Sequence, residues 1–127
     1  MQMNLEPMIT LDIRQGRIRI YKRTLRLLDR PKYIRLLVNP EVSTLAIQPV
    51  SKPRGCYHRI DWRMLDGCNC CELHSLYLVE KLRDVCADWK SNDSYRIRGT
   101  FYPKDNIVSF NFKDAEPITK AEEEVYE

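Results

Sequence analysis

Apolar and polar residues alternate over 9–14 (ITLDIR), pause at Gln15-Gly16, and alternate again over 17–20 (RIRI). Side chains two apart share one face of a strand, so the pattern predicts two half-buried strands joined by a turn. From Tyr21 the period changes. Leu25 and Leu28 lie three apart with Leu27 beside them, and Lys22, Arg23 and Arg26 fall between, which predicts a short amphipathic helix up to about Asp29. Arg30-Pro31 ends it, because the residue before a proline is pushed out of helical geometry. Residues 32–38 (KYIRLLV) then read as a strand, Asn39-Pro40-Glu41 as a turn, and 44–50 (TLAIQPV) as the returning arm of a hairpin.

The same order recurs further on. Residues 51–67 carry Pro53 and Gly55, show little periodicity, and read as a connector. A short strand is predicted at 74–78. Val79, Leu82, Val85, Cys86 and Trp89 follow at helical spacing, and Ser91-Asn92-Asp93 breaks the helix. Residues 95–102 (YRIRGTFY) and 107–112 (IVSFNF) form a second predicted hairpin around a turn at 103–106. Ile20-Tyr21 corresponds to Leu76-Tyr77 ahead of the helices, Tyr33 to Tyr95, and Pro40 to Pro103. A duplication accounts for this. A strand–helix–hairpin unit exposes one apolar face, and two units in tandem cover each other. The expected organisation is one domain over 1–127, with a first repeat at about 9–50, a connector at 51–72, a second repeat at about 73–112, and an acidic, frayed tail at 113–127.

Charge sharpens this division. Residues 1–54 hold 11 Lys and Arg against 4 Asp and Glu, a net of +7, whereas residues 55–127 hold 10 against 14, a net of −4. A basic half suits nucleic acid or an acidic protein, and an acidic half repels the former. The apolar fraction of 43% is that of a folded domain. No apolar run is long enough to span a membrane, and the opening residues lack the basic start and unbroken apolar stretch of a secretory signal. A cytoplasmic setting follows as the expectation, in which five cysteines read as thiols or metal ligands rather than a disulfide framework.

Over about residues 9–50, the stretch QGRIRIYKRTLRLLDRPKYIRLLVNPEVSTLAIQPV resembles the swapped-hairpin half-barrel of AbrB-like regulators. The matching features are Gly16-Arg17 before a short alternating strand, a helix ending in Leu27-Leu28, and a hairpin closing at Pro49. The resemblance implies a barrel assembled from two such units that binds DNA through basic residues, with Arg17 and Arg26 at family arginine positions. Tyr21 stands where the family's helix starts with proline, and Asp29 where it ends with glycine, a residue suited to the left-handed cap.

The expected fold is therefore α+β and sheet-dominated, with two strand–helix–β-hairpin repeats forming a swapped-hairpin-like β-barrel pseudo-dimer. The expected function is non-enzymatic DNA binding, with Arg14, Arg17, Arg19, Lys22, Arg23 and Arg26 as the contact face. Clustered cations release counterions from phosphates, and arginine adds bidentate contacts to guanine. The alternative is an adaptor or inhibitor of the phage or mobile-element type, turning the same face to an acidic protein. Neither reading calls for a cofactor, and both leave room for a homo-oligomer. Cys56, His58, Cys68 and Cys71 pose a zinc question: Cys68 and Cys71 have the spacing of one zinc knuckle, but Cys56-x-His58 is not a usual second one. His74 is a substitute ligand; the alternative is a thiol-rich connector with Cys71 or Cys86 in the core. No glycine-rich phosphate loop, G-x-S-x-G elbow or H-E-x-x-H motif points to catalysis.

Overall fold

A computed structural model describes residues 6–12, 15–52, 54–85 and 94–118. The chain is a sheet-rich α+β fold in which antiparallel strands close most of the way into a barrel. The first strands follow the sequence pattern closely. They are β1 (Met8–Asp12), β2 (Arg17–Tyr21), helix α1 (Lys22–Leu27), β3 (Tyr33–Asn39) and β4 (Thr44–Pro49). Gly16 makes the β1–β2 turn at a φ of 66°, where a side chain is disfavoured. The β3–β4 connection is a single 3₁₀ turn, Pro40–Val42, in which Asn39 accepts the Glu41 amide.

The second half departs from expectation at three places. The expected connector holds β5 (His58–Arg59), α2 (Trp62–Leu65) and the start of β6 (Cys70–His74). The strand expected at 74–78 therefore lies earlier, and Leu76 already opens α3 (Leu76–Val85). The local reason is Ser75, whose hydroxyl accepts the Leu78 amide and so starts the helix. Residues 86–93, with Cys86, Trp89 and the expected helix end, lie outside the described residues. The hairpin of β7 (Ser94–Tyr102) and β8 (Ile107–Asn111) forms as expected. The tail begins as structure rather than fray: β9 (Glu116–Ile118) pairs with β7 and buries Ile118.

Strands run in the order β5-β3-β4-β8-β7-β1-β2-β6, with β9 beside β7 and every pairing antiparallel. Alternation decides what goes inside. Ile9, Leu11, Ile18, Ile20, Ile34, Leu45, Ile47, Ile97, Val108 and Phe110 form the buried centre, and each such side chain stabilises the fold by about 1.5–3 kcal/mol. Leu25 of α1, Leu28 just after it, and Leu78 and Leu82 of α3 join the same cluster. Among the described residues, no helix is long and apolar enough to cross a membrane.

Candidate binding surfaces

Because Ile18 and Ile20 face the core, Arg17, Arg19 and Tyr21 stand on the outward side of β2. The registers carry this face across the neighbouring strands. Arg19 lies opposite Glu72 of β6 on one side and Thr10 of β1 on the other. Thr10 lies opposite Arg96 of β7, and Arg96 opposite Glu116 of β9. One row thus reads Glu72, Arg19, Thr10, Arg96, Glu116 across five strands.

The row is ion-paired at both ends. Arg19 Nη2 donates to Glu72 Oε1 at 2.9 Å, and Arg96 Nη2 to Glu116 Oε2 at 3.0 Å. Both arginines are buried despite facing outward, at 6% and 9% exposure. Arg17 is half-buried between Asp12 (3.4 Å) and Glu72 (3.7 Å). At the centre, the Thr10 and Tyr21 hydroxyls share a 3.0 Å hydrogen bond.

A second cluster gathers around Asp66, just past α2. Arg30 Nη1 and Nη2 donate to its two oxygens at 3.1–3.2 Å, and Lys22 Nζ lies 3.3 Å away. Hydrogen bonding from Arg30, supported by Lys22, holds the Asp66 carboxyl below the usual carboxylate range. Arg30 also lies over the Trp62 ring at 4.1 Å, while Trp62 Nε1 donates to the Pro31 carbonyl. Asp61 starts α2 by accepting the Arg63 and Met64 amides.

The expected cationic face is therefore distributed among different partners. Arg17 and Arg19 turn to Glu72, Lys22 turns to Asp66, and Arg23 Nη2 lies 3.4 Å from Met8 Sδ. Arg26, on α1, is the one member of the set that is exposed among the described residues, and Arg14 lies outside them. Asp66 and Glu72 were not singled out from sequence, and Glu116 stood out only as part of the acidic tail. The available signal was the acidic excess after residue 54, whose natural counterpart is the basic excess before it.

Between α2 and β6 lies an open cleft of about 800 Å³, lined among others by Lys22, Arg59, Met64, Cys68, Cys71 and Leu73. Cys56 and Cys68 are exposed, whereas Cys71 packs against the core, where burial pushes its thiol pKa up. The proposed ligands Cys56, His58, Cys68 and Cys71 do not converge. Among the described residues, no group of three or more His, Cys, Asp or Glu side chains is placed to hold a metal ion. Comparison with protein-family models, with curated proteins and with solved structures returned no match.

Proposed function

We propose that this chain is a protein-interaction module, built as a single-chain pseudo-dimer of two swapped-hairpin units of the AbrB-like kind. Strand order supports the pseudo-dimer. Exchanging β1 with β5, β2 with β6, β3 with β7 and β4 with β8 leaves the cyclic order of the barrel unchanged. Corresponding strands meet at two places, β2 with β6 and β4 with β8. Each hairpin also takes the other unit's first strand: β7 pairs with β1, and β3 with β5.

The observation that carries the functional reading is the 2.9 Å contact between Arg19 and Glu72. These residues sit opposite each other where β2 meets its counterpart. In a symmetric homodimer of the first unit, that place would oppose one basic strand to another and leave arginines for phosphate. Here the second unit supplies a carboxylate. Arg17, Arg19, Lys22 and Arg30 all reach acids from beyond residue 54, so the two halves' opposite charges satisfy each other. DNA binding remains the second reading, and the exposure of Arg26 on α1 favours it.

Titration with duplex DNA at low and raised salt separates the two. The protein-interaction reading expects no binding that falls steeply with salt; such binding would establish the DNA reading instead. Glu72→Gln adds a positive arm. With that negative charge removed, the more basic face of β2 should confer salt-sensitive DNA binding that the parent chain lacks.

A further inference from the structure

The exchange of strands described above leaves one ladder unmade. β1 pairs with β2, but the corresponding β5 and β6 stand at the two ends of the sheet. The cleft lies at this seam, with β6 along one side, Arg59 from β5 contributing to its lining, and Met64 of α2 71% exposed within it. The Lys22 amide donates to the Asn69 carbonyl directly opposite, at 2.8 Å. Antiparallel pairs alternate, so residues 69, 71 and 73 direct their backbone groups to β2, while Glu72 and His74 direct theirs to the open side.

We propose that this seam captures an extended polypeptide segment of a protein partner, which adds as a strand along the outer edge of β6 at Glu72 and His74 and places a carboxylate against Arg59. The inference rests on the protein-interaction reading. An edge strand offers amides and carbonyls at strand spacing, and another extended peptide backbone is what matches them. Met64 and Leu73 supply apolar contact for alternate side chains of the segment. Charge selects among such segments. The carboxylates lining the cleft are already engaged: Asp61 with the amides of α2, Asp66 with Arg30 and Lys22, and Glu72 with Arg19 and Arg17. Arg59 is exposed and has no ion pair among the described residues. An acidic side chain on the incoming segment completes it.

The probe is a phage-displayed library of random linear peptides selected on the full chain, followed by calorimetry and amide hydrogen exchange with a synthetic winner. Selected peptides should pair an acidic residue with apolar neighbours. Binding should add exchange protection at the Glu72 and His74 amides, and Arg59→Glu should weaken affinity about tenfold or more. Met64→Lys, a change on an exposed side chain, should weaken it with the fold intact. Peptides that bind without protecting Glu72 and His74 would overturn the seam and leave the protein-interaction reading standing. Failure to select any peptide, with salt-sensitive DNA binding present, would overturn both. If deleting residues 119–127 raises exchange at Glu72, the acidic tail of this chain occupies the seam and the partner segment is excluded.

Discussion

Arg19 faces away from the barrel interior yet is almost fully buried, and its Glu72 partner is less so, at 43% side-chain exposure. Such an asymmetric pair adds little net stability, because the desolvation of the guanidinium offsets much of the attraction. The two ends should therefore respond oppositely to substitution. Arg19→Met removes the buried charge and fills similar volume, so it should be neutral or stabilising by about 1 kcal/mol. Glu72→Gln leaves that charge in place and should cost about 1 kcal/mol. Urea midpoints of the two variants decide this, and a larger loss for Arg19→Met would contradict it. Asp29 offers a second test. It follows α1 with a φ of 63°, a left-handed conformation that glycine adopts more readily than aspartate. Asp29→Gly should relieve that strain and raise stability by about 0.5 kcal/mol, which amounts to about 2 °C in melting temperature.

Among the described elements, β7 is the longest strand and bridges the two parts of the sheet, pairing with β1 and β9 over one stretch and with β8 over the next. Gly99 sits where these stretches meet. A Cβ there would lie 2.5 Å from the Ser109 carbonyl oxygen and 2.6 Å from the Phe110 ring. Phe110 is fully buried, so Gly99→Ala should destabilise by about 1–3 kcal/mol through overpacking, measurable as a lowered denaturant midpoint. The residue reads in the sequence only as a weak point in a good strand. Elements that press one face on the core were legible for the opposite reason. β1 to β4, β7 and β8 show period-two alternation because one face packs on the barrel centre while the other carries polar or charged side chains, solvated or ion-paired. β5 and α2 were illegible because two residues and four residues are shorter than any pattern can declare. β6 does alternate, with Cys71 and Leu73 inward, but Cys71 also stands at metal-knuckle spacing from Cys68 just before the strand, and that reading competes with the strand. The candidate surfaces were half legible. Arg17 and Arg19 do share a face; their neutralisation depended on a register between strands more than fifty residues apart, which no local pattern encodes.

For the whole molecule, the +7 and −4 halves are complementary surfaces of one fold, so its stability should respond to acid in two stages. His58, paired to Ile34 across β5 and β3, has its pKa lowered by burial. The unfolded chain therefore takes up that proton first. Stability is full above the ordinary imidazole value and declines as pH falls below about 6.5, until the folded protein also binds the proton. Asp66 acts later. Its folded pKa is lowered by Arg30, so its contribution is present above the ordinary carboxylate value and is lost as pH falls through the folded value. At that point Arg30 and Lys22 face a neutral partner, and the cross-half attraction there is gone. The urea midpoint measured against pH should thus decline first in the imidazole range and again in the acid range. His58→Gln should flatten the first decline and spare the second, whereas Asp66→Asn should lower stability at neutral pH and flatten the second. An unchanged midpoint between neutral pH and about pH 5 in the parent chain would rule out His58 as a group that folding holds neutral.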